Sequence, residues 1–327
     1  MKVTCYGSRG SLPSPSRPGF STLEFGGNTN CFFIQAGPFN IIESCGSGVS
    51  VLSDRLMGEW VAGGRKPVDY IIPLSHYHWD HIQGLPFLVP AYIGTNTLHF
   101  HGFRPSGYEG HDQRKSDRAQ PQTAVEMMLA HQQSNPHFPV AHEAMPADKH
   151  YWAHNRQFSE TFWYVIYDQS ICFVETDPTH DNAYKPVTPE RMLKITTIPL
   201  NHPDGCLGWR IEYMGKVVAF CYDCEPFRHP NSKISTIAKG ADLMVLDGAY
   251  TEAQLRGAQQ GFGHGTPESC IDQAKDAEAK FCLIHHHDPK HDDAKLSEME
   301  TKAFYYARDV GYTGKMLFSR EGTVYEV

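Results

Sequence analysis

Short apolar runs recur along the chain, β-branched or aromatic and bounded by turn residues, and they predict strands. They cover residues 31–34, 39–42, 97–100 and 171–174, then 194–198, 207–213, 216–220, 242–246 and 280–284. The pair 207–213 and 216–220 reads as a hairpin across Met214-Gly215. Helical spacing falls between strands. Residues 49–61 and 124–131 carry it, and Thr266-Pro267-Glu268 reads as an N-cap with proline at the first helical position. Near the end, Leu296, Met299, Ala303, Tyr306 and Val310 repeat at helical spacing and predict a face turned to a core. Strands alternating with helices, some strands in hairpins, predict a mixed α/β layered architecture. No internal repeat and no low-complexity linker divides it.

Residues 103–186 break this pattern, being rich in polar residues, proline and histidine; 107–122 is almost wholly hydrophilic. The expectation is an insertion or lid over a site, ordered in part by Phe138, Val140, Trp152, Phe162, Trp163 and Tyr164. The alternative is a solvated surface excursion without function.

Composition narrows the class. With 327 residues, the chain can bury one large core or two fused halves. A net charge of −8 disfavours a large nucleic-acid surface, though not a local basic patch. No run approaches the roughly 20 apolar residues that span a bilayer. The start, Met1-Lys2-Val3-Thr4-Cys5-Tyr6, enters a strand-like pattern at once and lacks the pattern of a signal peptide. Nine cysteines, an odd number, fit free thiols in a reducing compartment. Together these predict a soluble cytoplasmic protein. Nineteen histidines is a high count, and most are expected to be surface or hydrogen-bonded side chains.

The densest chemistry is Ser75-His76-Tyr77-His78-Trp79-Asp80-His81, directly after the apolar run Asp69-Tyr70-Ile71-Ile72-Pro73-Leu74. It places four candidate metal ligands within six positions. In an extended segment His76 and His78 share a face, and Asp80 and His81 then fall on the following turn. One loop thus offers imidazoles to one metal and a carboxylate plus imidazole to a second. Such donors suit Zn²⁺, with Mn²⁺ or Fe as alternatives.

Several motifs, in order, resemble the metallo-β-lactamase superfamily, and more closely its phosphodiesterase-like branch, which includes ribonuclease Z and small phosphodiesterases. They are Gly7-Ser8-Arg9-Gly10-Ser11, Gly26-Gly27-Asn28-Thr29-Asn30-Cys31, His76-x-His78-x-Asp80-His81, Asn201-His202-Pro203, Asp223, Gly263-His264-Gly265-Thr266 and His285-His286-His287-Asp288-Pro289. The resemblance implies a four-layer αβ/βα sandwich of two mixed β-sheets flanked by helices, formed as a single domain over 1–327. It implies two zinc ions: His76, His78 and His202 on the first, Asp80, His81 and His286 on the second, and Asp223 bridging. His285 is the alternative to His286. Cys221, two residues before Asp223, is an alternative ligand, and Cys221-x-x-Cys224 could also mark a redox pair. One departure is visible. The family's aspartate after the early hairpin is replaced in Glu43-Ser44-Cys45-Gly46-Ser47-Gly48. Members with diiron redox chemistry carry a carboxylate where this chain has Trp79, so hydrolysis is expected.

Two close divalent cations lower the pKa of water between them and supply hydroxide at neutral pH. The resulting expectation is attack on a small or cyclic phosphodiester, with Asp80 and Asp223 in the catalytic centre and His264 protonating the leaving oxygen or steadying the phosphate. The partner is then a small-molecule phosphodiester; a ribonuclease Z-type RNA substrate ranks lower because no clean basic stripe is visible. Lactone or carboxylic ester hydrolysis and a non-catalytic metal carrier are further alternatives. Relatives often dimerise, but the sequence shows no homodimer interface and no membrane partner.

Overall fold

The computed structural model describes residues 1–107, 123–180, 187–225 and 231–327. Strands β1 (Lys2–Gly7), β2 (Cys31–Ala36), β3 (Phe39–Glu43), β4 (Asp69–Pro73), β5 (Thr97–Phe103) and β6 (Asp148–His154) come first. They are followed by β7 (Glu160–Tyr167), β8 (Ser170–Val174), β9 (Met192–Leu200), β10 (Cys206–Tyr213), β11 (Lys216–Cys221), β12 (Leu243–Asp247), β13 (Phe281–His285), β14 (Lys315–Phe318) and β15 (Val324–Glu326). They form a sheet of order β15-β1-β2-β3-β4-β5-β6 and another of order β14-β13-β12-β11-β10-β9-β7-β8. Strands β3 to β6 run parallel, as do β11 to β14.

The helices are α1 (Val49–Ala62), α2 (Trp79–Ile82), α3 (Ala124–Gln132), α4 (Ser232–Ile237), α5 (Glu252–Leu255), α6 (Pro267–Asp276) and α7 (Asp293–Asp309). Helices α1 and α3 cover the first sheet, and α4, α6 and α7 the second. Three separate cores result, and alternation along single strands shows why. On β12, Leu243 and Val245 enter the core between the sheets, whereas Met244 and Leu246 enter the core under the helices. On β4, Ile71 faces the partner sheet and Tyr70 and Ile72 face the helices. Strands buried on both faces read as continuous apolar runs, which is why the sequence revealed them. The expected αβ/βα sandwich of two mixed sheets flanked by helices is the fold observed.

Local chemistry explains several boundaries. Tyr213 pairs with Lys216, and the two residues between, Met214 (φ 52°) and Gly215 (φ 74°), both take the left-handed conformation of a tight hairpin turn. Thr266 caps α6 with a reciprocal capping box to Ser269, and Pro267 opens the helix. Leu296, Met299 and Ala303 are buried on α7, with Tyr306 and Val310 packed at the edge of the same core. Among the described residues, no helix is long and apolar enough to cross a membrane.

The expected insertion or lid at 103–186 needs correction over much of its length. Strand β6 closes one sheet, β7 and β8 close the other, and Phe162 and Tyr164 lie in the inter-sheet core. Those residues are framework. Most of the hydrophilic 107–122 segment lies outside the described residues, as does 181–186.

Buried histidines away from the loop motifs give the fold a pH dependence. His142, 1 % exposed, hydrogen-bonds Tyr151 Oη through Nε2 at 2.7 Å. Burial, helped by Lys149, pushes its pKa down to about 3. The unfolded chain therefore takes up this proton near pH 6.5, while the folded chain does so only near 3. Stability is full above about 6.5 and falls as pH drops through that window. Replacing His142 with Gln should flatten the slope of unfolding free energy between pH 5.5 and 4.5 by about 1.4 kcal/mol per pH unit. Denaturant titrations at several pH values would show it; an unchanged slope would remove His142 as a contributor.

Candidate metal centre

The carboxyl ends of parallel strands open on one edge of the sandwich, the usual place for a site in such sheets. The loop after β4 carries His76 and His78, and α2 carries Asp80 and His81. His202 follows β9, Asp223 follows β11, and His286 follows β13. Asp223 (φ 53°) and His286 (φ 61°) both adopt left-handed backbone within two residues of the ends of their strands. That conformation costs about 1–2 kcal/mol per residue and turns each side chain out of the strand's alternation into the cluster.

The seven expected ligands converge. Donor atoms of His76, His78 and His202 lie within 4.8 Å of one another, as do those of Asp80, His81 and His286, and those of His76, His81 and Asp223. Asp223 thus belongs to both halves: its Oδ1 is 3.1 Å from His286 Nε2 and its Oδ2 is 3.0 Å from His81 Nε2. Asp80 Oδ2 is 3.1 Å from His286 Nε2 and accepts the Ser11 amide at 2.8 Å.

Protonation states favour ligation at five of the seven positions. Burial above all pushes His76 well below the ordinary histidine value and lowers His78 too. Burial takes His202 down to about 4. These imidazoles are neutral at pH 7. Burial alone would raise Asp80 and Asp223, but His81 and His286 outweigh it and hold both carboxylates well below their usual range. His81 is pushed the other way, because Asp223 and Asp80 outweigh its burial.

A cation fits this donor set. His76 Nε2 is buried without a hydrogen-bond partner, beside the donor atoms of His81 and Asp223. His202 Nδ1 donates to the Gly263 carbonyl at 3.1 Å, which leaves Nε2 as a lone pair facing His78 Nδ1 at 3.2 Å. Buried polar atoms left this way are costly unless something binds them.

Of the three adjacent histidines, only His286 joins the cluster. His285 bonds Ser319 Oγ and Asn30 Oδ1, each at 2.8 Å, and His287 bonds the Ser319 carbonyl at 3.0 Å. Cys221 lies in the apolar core under the helices and in none of the candidate clusters, which removes it as a ligand among the described residues. Cys221 and Cys224 are both free and buried, so no disulfide joins them.

Sequence reasoning missed Asp247. It ends β12, is 3 % exposed, and accepts from His264 Nδ1 at 2.6 Å. This bond engages Nδ1 and leaves Nε2 as the free nitrogen of a ring that lines a cavity. Burial lowers the His264 pKa, but Asp247 and then Asp223 outweigh it and raise the value to about 9. Glu225 holds the loop in place, accepting from Gly261 N at 2.9 Å and Gly263 N at 3.1 Å. The cavity is about 250 Å³ and is lined by Ser11, Tyr250, Phe262, His264, His286 and Lys290 among others.

The opening motif serves the last histidine motif. Gly10 N donates to the His287 carbonyl at 3.0 Å, and buried Arg9 reaches the Asp288 carbonyl at 3.2 Å. A Cβ at Gly10 would stand 2.2 Å from His286 Cε1. Gly10→Ala should therefore displace the His286 ring and weaken metal retention by roughly tenfold or more. Chelator titration of folded protein would measure it, and wild-type retention would show that the ring has room to yield.

Comparison with known proteins agrees with this picture. The metallo-β-lactamase superfamily profile matches residues 25–162, and a β-lactamase superfamily domain profile matches residues 164–287. The metallo-β-lactamase fold protein YhfI from Bacillus subtilis is 18 % identical with a TM-score of 0.62, covering 100 % of this chain and 99 % of its own. The short form of human tRNase Z is 15 % identical with a TM-score of 0.59, covering 100 % and 99 %. A diphosphatase of the PhnP family is 14 % identical with a TM-score of 0.56, covering 100 % and 97 %. Among curated proteins, none matches in sequence. Both halves of the sequence match one superfamily and its sandwich is the fold observed: the chain belongs to the metallo-β-lactamase superfamily.

Proposed function

We propose that this protein is a hydrolase with a dinuclear zinc centre that cleaves a small phosphodiester, a cyclic nucleotide or a related compound. The observation that carries this reading is the shared carboxylate. Asp223 lies between a three-histidine group and the Asp80–His81–His286 group, beside a cavity that also holds the paired His264. Zinc ions in those two groups would supply Lewis acidity and a lowered water pKa.

The chain's own residues supply the rest. Asp247 holds His264 Nδ1 and raises its pKa to about 9, so at neutral pH the ring is an imidazolium on the cavity wall whose Nε2–H can protonate a leaving oxygen. Lys290 brings a cation to the rim, and Tyr250 and Phe262 bring flat apolar surface. A cavity of about 250 Å³ suits a small ester. A diphosphatase and a tRNase are among the proteins of similar fold, so phosphate-ester chemistry has precedent on this architecture. The net charge of −8 ranks a polymeric RNA substrate lower.

The test is hydrolysis of bis(p-nitrophenyl) phosphate by metal-quantified protein, beside Asp80→Ala and p-nitrophenyl phosphate. Turnover of the diester, lost in the variant and weak on the monoester, is the expected result. Full metal content with turnover only on lactones or thioesters would replace the reading with carboxylic hydrolysis. RNA cleavage with binding that falls steeply as salt rises would replace it with a nuclease. Full metal content with no turnover on any ester would leave a metal carrier.

A further inference from the structure

The place where this chain departs from its family motif is also where a carboxylate is buried among hydroxyls. Strand β3 ends at Glu43, whose side chain is fully buried. Ser44 follows with φ 62°, a left-handed residue that brings two consecutive side chains to one side. Ser44 Oγ donates to Glu43 Oε1 at 3.2 Å, and Tyr222 Oη donates to Glu43 Oε2. The same Ser44 Oγ lies 3.1 Å from His81 Nδ1.

Hydrogen-bond accounting orders this chain. A serine hydroxyl has one proton and two acceptor sites. With its proton on Glu43, the Ser44 oxygen accepts from His81 Nδ1–H. With Nδ1–H held there, Nε2 is the ring atom that a cation would take in place of a proton, 3.4 Å from Asp80 Oδ2 and 3.0 Å from Asp223 Oδ2. Ser75 Oγ, 3.2 Å from His81 Nδ1, is a second oxygen able to accept from it. Burial raises the Glu43 pKa to about 7 despite its two hydroxyl partners, and a carboxyl group held at such a cost calls for a role.

We propose that Glu43, acting through Ser44, is the positioning residue for His81 and fixes the tautomer and orientation of one metal-binding imidazole. Tyr222, the residue before Asp223, donates to the same carboxylate, so one buried group steadies two candidate ligands. The pair Glu43-Ser44 stands where the family motif has its aspartate. This inference rests on reading the cluster as a metal centre.

The experiment compares wild type, Ser44→Ala, Glu43→Gln, the double variant Glu43→Gln/Ser44→Ala, and Glu43→Gln/Ser44→Asp, all checked for folding by circular dichroism. Cobalt is the probe, read by chelator competition and by its visible absorption spectrum. Each single change should weaken one cobalt site by roughly 10–100-fold and alter the spectrum. The double variant with alanine should lose no more than the worse single one, because both changes cut one relay. Adding Ser44→Asp to Glu43→Gln should restore much of the loss, since aspartate tolerates left-handed backbone and reaches Nδ1 directly. A folded Ser44→Ala with wild-type affinity and spectrum overturns the proposal, and so do fully additive losses. Should Glu43→Gln not fold, Ser44→Ala decides alone. If wild type itself takes up no cobalt, the metal-centre reading falls and the proposal with it.

Discussion

Replacing Asp223 with asparagine or alanine is expected to remove at least one metal ion per chain and nearly all turnover. The carboxylate is 1 % exposed and stands between His76, His81 and His286. Removal of a partner that only orients a ligand typically costs about 10–100-fold in metal affinity or activity. A carboxylate shared by two ligand sets should exceed that, since its loss weakens both and removes the charge that offsets two nearby cations. Alanine adds a second effect. The backbone at 223 is left-handed (φ 53°), which asparagine tolerates better than alanine by about 1 kcal/mol. Asparagine is therefore the cleaner variant: similar shape, no charge, little added backbone strain. Elemental analysis together with kcat/KM on a diester measures both consequences. Full metal content and near-normal turnover in Asp223→Asn would end the bridging assignment.

Legibility in the sequence followed the geometry of each residue. The cluster from His76 to His81 was readable because its members are adjacent and follow an apolar strand. His202 and Asp223 emerged from motif order. The choice among His285, His286 and His287 hinged on one backbone angle, since φ 61° at His286 takes it out of the strand's alternation. Such a turn leaves no mark on composition. Asp247 was missed because the apolar run appeared to end at Leu246, yet β12 extends one residue further. A carboxylate closing an apolar strand just before Gly248 was the available signal.

The 103–186 region misled for a different reason. Its strands carry polar residues that satisfy one another inside the fold. His101 Nε2 meets Tyr164 Oη at 2.6 Å, His101 Nδ1 meets His154 Nε2 at 2.8 Å, and His154 Nδ1 meets Glu160 Oε2 at 2.7 Å. His101 also stacks on Phe162 at 4.6 Å between ring centres. A buried polar chain of this kind reads as solvent-facing by hydropathy, though every link is paired. Cys221 failed as a ligand by similar logic, because its strand face turns to the apolar core.

His264→Ala should lower turnover by roughly 10²–10⁴-fold on a diester with an alkoxide leaving group and leave metal content unchanged. The histidine belongs to neither of the two ligand sets expected from the sequence. Its Nδ1 is engaged by Asp247 at 2.6 Å, and it lines the cavity beside His286. The leaving group makes the test specific. An alkoxide is a poor leaving group and needs a proton as the bond to phosphorus breaks, whereas p-nitrophenolate leaves without one. The same variant should therefore lose far less on bis(p-nitrophenyl) phosphate than on an alkyl diester. Asp247→Asn should shift both substrates in the same order, by a smaller factor, because it loosens the hold on Nδ1 without removing the imidazole. Equal losses on both substrates would assign His264 to phosphate binding or to ligand support instead of proton donation. A fall in metal content would place it among the ligands, where its donor atoms already lie within 4.8 Å of those of Asp223, Asp247 and His286. The ratio of the two substrate effects separates these roles in a way that loss of activity alone does not.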